Sequence, residues 1–192
     1  MKFIIEHLEP ELFEWCLIEY EHISEIVGKE NLIFTNIKNK NDNFKLKKLG
    51  SVLGKSVSEL GFQNICVLSQ YGTKTLATND KTKFEYLVFG GILGDKPAKR
   101  RTEDIIRELK QNKIKFEERN LGSAQMPTDN AVYASKKILD GSKLNDLKFI
   151  DEVEIQINEN ESVSLPFRYV VDDNNLIISE KLVEHLRKRK EF

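Results

Sequence analysis

Short apolar runs rich in β-branched and aromatic residues recur along the chain, at Phe3-Ile4-Ile5, Leu32-Ile33-Phe34, Ile65-Cys66-Val67-Leu68 and Tyr86-Leu87-Val88-Phe89. Runs of this length and type predict buried strands, here over 2–7, 31–37, 65–69 and 84–89, with a further candidate at 115–119. The stretches between them space their apolar residues at helical period. Leu12, Cys16, Ile23, Ile26 and Val27 predict a helix over 10–27, opened by Pro10 at its first position and closed at Gly28. Phe13, Trp15, Leu17 and Tyr20 widen its stripe, leaving Glu11, Glu14, Glu21 and Glu25 outside. Residues 39–43 read as a polar loop and 46–60 as a helix interrupted by glycines. Ile105, Ile106 and Leu109 mark a helix over 101–112, and Ala131, Ala134, Ile138 and Leu139 mark one over 129–139 with Thr128 as N-cap.

The tail changes character. Residues 149–157 and 167–171 alternate like strands, Asp172-Asp173-Asn174-Asn175 is a turn, and Leu182, Val183 and Leu186 mark a last helix over 179–189. Strands alternating with helices give an α/β fold with a mainly parallel sheet and helices on both faces. The chain divides into a main domain over 1–150 and C-terminal strands and a helix, 151–192, packing on it.

With 192 residues, 40% apolar and 32% charged, the chain has room for one sizeable core. A net charge of −1 removes any global pull toward nucleic acid, so such binding would need a local patch. Lys96, Lys99, Arg100 and Arg101 form one basic cluster. Arg187, Lys188, Arg189 and Lys190 form another, best read as cations at a helix C-terminus. Cys16 and Cys66 sit in apolar contexts without ligand spacing and read as core residues of a reducing compartment. Neither a signal peptide nor an apolar run of membrane-spanning length is present, so the expected location is the cytoplasm. His7, His22 and His185 are too dispersed for a metal site or a triad, and no metal is expected.

The candidate chemistry lies in two glycine-bearing segments that each follow a strand. Phe89-Gly90-Gly91-Ile92-Leu93-Gly94-Asp95 has no Gly-Lys-Ser/Thr, so it is not a P-loop, and its glycine spacing is not that of a dinucleotide fingerprint. Its partner is Leu121-Gly122-Ser123-Ala124-Gln125-Met126-Pro127-Thr128-Asp129. Two such loops suit an adenosine-sized ligand held by apolar walls and main-chain hydrogen bonds. On spacing alone, two tight turns in a Rossmann-like sheet account for them at least as well.

Ile4-Ile5-Glu6-His7, Glu14-Trp15, Glu19-Tyr20, the Val88–Asp95 and Gln125–Asp129 strings, Lys148-Phe149-Ile150-Asp151 and Pro166-Phe167-Arg168-Tyr169-Val170 occur in this order. Together they resemble the SPOUT-superfamily methyltransferases whose yeast member monomethylates an arginine of ribosomal protein S3, a family formerly described as RNA methyltransferases. The resemblance runs from Lys2 to Val171. It implies a deep trefoil knot in the C-terminal half of the sheet, which periodicity cannot show. It also implies bound S-adenosylmethionine and action as a monomer on a ribosomal protein or the small ribosomal subunit. The basic cluster from Lys96 to Arg101 then reads as an rRNA contact beside a protein substrate, or as the substrate surface of an RNA enzyme.

On this resemblance Phe89, Gly90, Gly91, Ile92 and Gly94 form one wall of the cofactor pocket, and Leu121, Gly122, Gln125, Met126, Thr128 and Ala131 the other. Asp95 and Asp129 are the catalytic candidates, because a carboxylate can orient a guanidinium and accept its proton. Turn and helix-terminus roles compete with both assignments. Glu6 and Glu19 are further candidates for gripping a substrate arginine, though a solvated or salt-bridged face is the better reading of both. Arg168 reads as a structural ion pair or a partner for the methionine carboxylate. Near-neutral charge and the acidic first helix favour a protein over the alternative, an rRNA or tRNA methyltransferase. A non-catalytic nucleotide-binding module is the third reading.

Overall fold

The computed structural model describes residues 1–91 and 100–188. Ile92, Gly94 and Asp95 of the expected site, and Lys96 and Lys99 of the basic cluster, lie outside the described residues.

Six strands form a parallel sheet: β1 (Lys2–His7), β2 (Leu32–Thr35), β3 (Ser51–Val52), β4 (Ile65–Leu68), β5 (Tyr86–Gly91) and β6 (Phe116–Arg119). Their order is β3-β2-β1-β5-β4-β6, so β1 and β5 are central, and both are buried along most of their length. Helices α1 (Glu14–Val27), α2 (Lys40–Leu46), α3 (Asp80–Lys83), α4 (Thr102–Gln111) and α5 (Thr128–Leu139) connect and cover it. Alternation along β1 assigns the faces. Phe3 and Ile5 pack with Cys16, Tyr20 and Ile23 of α1 and Val132 and Ile138 of α5. Ile4 packs on the opposite face with Ile105, Ile106 and Leu109 of α4.

A second, antiparallel sheet follows, with strands β7 (Lys148–Gln156), β8 (Ser162–Asp172) and β9 (Asn175–Leu176), and then α6 (Glu180–Lys188). Asp173 and Asn174 take positive φ at the β8–β9 turn, as the Asp-Asn cluster predicts. Val153, Ile155, Leu165, Tyr169, Leu182 and Leu186 pack with Ile18 on the outer side of α1, so α1 is covered by both sheets. Asn130 on α5 locks this layer in place. Its side chain accepts from Val170 N at 2.8 Å and donates to Ile177 O at 2.9 Å.

Four expectations are corrected. The first helix starts at Glu14 rather than Pro10, because the chain stays extended past β1, with Leu8 N still bonded to Gly91 O at 3.1 Å. The expected loop at 39–43 opens α2, where the Asn39 side chain accepts from Asn41 N. The expected helix over 46–60 does not form. Leu46 packs with the α1 face and Val57 with the α4 face, and no straight helix reaches both sides of a sheet. At α5, Thr128 is already helical and Pro127 is the cap residue.

Candidate active site

A cavity of about 410 Å³ opens at the C-terminal ends of β4 and β5. This is where a parallel sheet exposes its loops to a ligand. Leu68, Phe89 and Gly90 come from the strand ends, and Leu121, Gly122, Gln125 and Met126 from the connection after β6. Thr128 and Ala131 project from the first turn of α5. Trp15 and Glu19 of α1, with Phe167 and Tyr169 of β8, close the far side, and Tyr71 and Arg100 stand on the rim. The Arg100 guanidinium lies 4.1 Å from the centre of the Tyr71 ring.

The 121–127 connection is held at both ends. Gly122 has φ +89°, a left-handed conformation that side chains disfavour, and its N–H donates to Asn120 Oδ1 at 3.0 Å. Asn120 itself donates from N to Lys74 O at 2.8 Å and from Nδ2 to Gly72 O at 2.6 Å. Farther along, Gln125 O accepts from Arg168 N at 2.8 Å, and the Thr128 hydroxyl donates to Gly90 O at 3.3 Å. The chain thus leaves β6 at the sheet edge and returns to the tip of β5. Beneath it, Arg119 forms a two-pronged ion pair with Asp80 of α3, at 2.9 and 2.8 Å, both side chains 6% exposed.

Eight of the eleven expected cofactor residues therefore meet in one cavity: Phe89, Gly90, Leu121, Gly122, Gln125, Met126, Thr128 and Ala131. Gly91 has a different task. A Cβ there would overlap the Tyr20 hydroxyl oxygen and come within 2.8 Å of Ile5 Cγ2, so glycine is needed for α1 to approach β5. That hydroxyl is 2.8 Å from His7 Nδ1. Burial favours the neutral form of both groups, lowering the His7 pKa and raising that of Tyr20.

The carboxylates separate clearly. Asp129 is buried, but it does not line the cavity. Its Oδ2 is 2.7 Å from His22 Nδ1, and its Oδ1 accepts from Asn130 N at 2.7 Å. Glu6 is buried on the opposite face, where it accepts from the Thr35 hydroxyl and, at 3.0 Å, from Val57 N. Burial raises its pKa. Arg168 forms a forked ion pair with Asp151 at 2.6 and 2.8 Å, the structural alternative of its two readings.

Glu19 is the group that residue order undervalued. Far from lying on a solvated face, it is 7% exposed and faces the cavity, where Oε1 accepts from Trp15 Nε1 at 2.9 Å. Burial first, and the nearby Asp129 second, push its pKa well above the ordinary 4.5. Burial, then Asp129 and Glu19, likewise raise the pKa of Tyr169. The available signal was a carboxylate set inside an apolar stripe, three residues after Cys16 and four before Ile23. Phe167 and Tyr169 had no such signal, because they reach the cavity from a separate sheet. Among the described residues no group of three or more His, Cys, Asp and Glu could hold a metal ion.

The family described as "Protein arginine N-methyltransferase SFM1-like" matches residues 2–191. The chain belongs to this family. The SFM1-like assignment agrees with the residues that carry the sequence resemblance, and it favours a protein acceptor over RNA. The protein arginine N-methyltransferase SFM1 of Saccharomyces cerevisiae is 37% identical over 205 residues, covering 98% of this chain and 95% of the relative. A crystal structure of the yeast arginine methyltransferase SFM1 complexed with SAM superposes with a TM-score of 0.88 at 35% identity, covering 97% of this chain and 90% of that one. The dual-specific Trm10 of Thermococcus kodakaraensis shares the fold at a TM-score of 0.59 and 17% identity, over 76% of this chain and 96% of that one. Among the described residues no helix is long and apolar enough to cross a membrane.

Proposed function

We propose that this SFM1-like chain transfers the methyl group of S-adenosylmethionine to one nitrogen of an arginine in an S3-like ribosomal protein, with Glu19 holding the acceptor. The observation that carries the reading is the position of Glu19, the only buried carboxylate lining the cavity among the described residues, across from the glycine-bearing loops. The donor set fits the cofactor. A volume of about 410 Å³ lies in the range of small-molecule sites, and Leu68, Phe89, Leu121 and Met126 supply apolar walls for a nucleoside.

When bound, the cofactor supplies a sulfonium methyl that is transferred to a nitrogen lone pair, the C–S electron pair staying on sulfur. The acceptor needs orientation, because a guanidinium is charged in water and its nitrogens are poor nucleophiles. Ionised Glu19 accepts N–H hydrogen bonds from it and fixes its plane, while Trp15 Nε1 fixes Glu19. Methylation displaces one N–H proton, and Glu19 takes it up. The burial that raises its pKa makes it a better proton acceptor than an exposed carboxylate. A buried carboxylate also suits a cationic acceptor better than a polyanion.

The knot belongs to the same reading. It is supported by the 121–127 connection crossing from β6 past the end of β4 to Gly90 on β5. Action as a monomer belongs to the same proposal, and a ribosomal substrate fits a cytoplasmic enzyme. The test is incubation with tritiated cofactor and small ribosomal subunits. Label should survive nuclease and map to a monomethylated arginine in an S3-like protein. Label removed by nuclease would overturn the protein acceptor.

A further inference from the structure

Residues 38–55 hold Lys38, Lys40, Lys45, Lys47, Lys48 and Lys55 against one carboxylate, Asp42, in a chain whose net charge is −1. All six lysines are exposed, and none forms an ion pair with a described residue. On α2, in their midst, Phe44 is 70% exposed, with Lys48 Nζ 5.7 Å from its ring centre. Lysines beside the short edge strand β3 would discourage strand addition without help. They do not explain a phenyl ring held out in water among them. Uncompensated cations around an exposed aromatic are what a single-stranded nucleic acid uses, its phosphates meeting the lysines and a base stacking on the ring.

The position of the patch fits the cavity. Asn36, just before α2, donates from Nδ2 to His7 O at 2.7 Å, and His7 is in register with Gly91 at the end of β5. The end of β2, which leads into α2, and the end of β5 at the cavity therefore lie at the same end of the sheet, two strand spacings apart, roughly 10 Å.

We propose that the face made by Lys38, Lys40, Lys45, Lys47, Lys48 and Phe44 binds single-stranded ribosomal RNA beside the arginine that is methylated. The ribosomal part rests on the proposed substrate; the binding of RNA does not. Glu19 in the cavity takes the cationic side chain while the basic face takes the polyanion around it, so the two parts of a ribonucleoprotein substrate are read by opposite charges.

The full chain is titrated with a labelled oligouridylate, and then tested for methylation of intact small subunits and of the ribosomal protein freed of RNA. Four phosphate contacts give a slope near −2.8 in log K against log salt, about a 50-fold loss between 50 and 200 mM. Reversing charge at Lys40, Lys45, Lys47 and Lys48 to Glu should flatten that slope. Phe44→Ala, at an exposed site, should weaken binding roughly five- to a hundredfold. Both variants should lose kcat/KM on intact subunits and keep it on the free protein. Unchanged oligouridylate binding by both variants overturns the proposal, and so does polyglutamate competing as well as RNA, which would make the face a dock for an acidic protein. Loss of RNA binding without labelling of any ribosomal substrate would uphold the RNA surface and overturn the substrate reading.

Discussion

Replacing Glu19 by glutamine removes a buried negative charge and keeps its shape, so activity and stability should move in opposite directions. Glutamine still offers a carbonyl oxygen to Trp15 Nε1, now 2.9 Å from the carboxylate. What it loses is the charge that orients a guanidinium and the capacity to take its proton. Losing a positioned proton acceptor lowers turnover about 10²- to 10⁴-fold, or roughly 2.7–5.4 kcal/mol at 1.36 kcal/mol per decade. Stability follows from linkage. The folded protein holds the Glu19 proton more tightly than the unfolded chain, because burial and Asp129 raise the folded pKa above 4.5. The wild type therefore has its full stability below pH 4.5 and loses the Glu19 part as pH rises through the folded value. Glu19→Gln has no such loss. It should melt with the wild type in acid and above it at neutral pH, in thermal scans run without cofactor. A variant that melts lower at neutral pH would refute the cost assigned to the buried charge. One that keeps full turnover would remove Glu19 from the chemistry.

Two further substitutions test the frame that shapes the cavity. Asp80→Ala removes the two-pronged partner of the buried Arg119 guanidinium, leaving it Glu117 at 3.1 Å, and should cost up to about 3 kcal/mol in urea unfolding, most of it recovered in Asp80→Ala/Arg119→Leu; a single variant as stable as the wild type would deny the pair its role. Gly91→Ala should cost about 1–3 kcal/mol by overpacking, partly relieved by Tyr20→Phe, which deletes the overlapping oxygen; an alanine variant of unchanged stability would show that α1 can back away from β5.

Strands β1, β2, β4 and β5 were legible in order, because each is a buried run bounded by polar residues, and burial on both faces selects residue type whatever the neighbours; half-buried β6 was a candidate, and β3 lay inside the expected helix. Amphipathic α4 and α6 were legible for the complementary reason, a single apolar stripe at helical period. Residues 46–60 defeated the same logic. Leu46, Leu49, Leu53 and Val57 keep helical spacing, yet Leu46 and Leu49 pack on one face of the sheet and Val57 on the other, around an edge strand. Periodicity records that a residue is buried, not against what.

The site divides along the same line. The walls built from contiguous sequence, Phe89-Gly90 and the segment from Leu121 to Ala131, could be read from residue order and resemblance together. The far wall could not, since Trp15, Glu19, Phe167 and Tyr169 are brought to one cavity only when the second sheet docks on the outer side of α1. Two carboxylates that look alike in sequence acquire different chemistry there. Asp129 is turned to His22 behind the cavity, and Glu19 is left facing it. Sequence alone determined which segments are strands and helices and which loops carry glycine, because those follow from local sterics and the period of burial. Tertiary structure decided which acid faces the cavity, because desolvation and charge proximity belong to neighbours far apart in the chain.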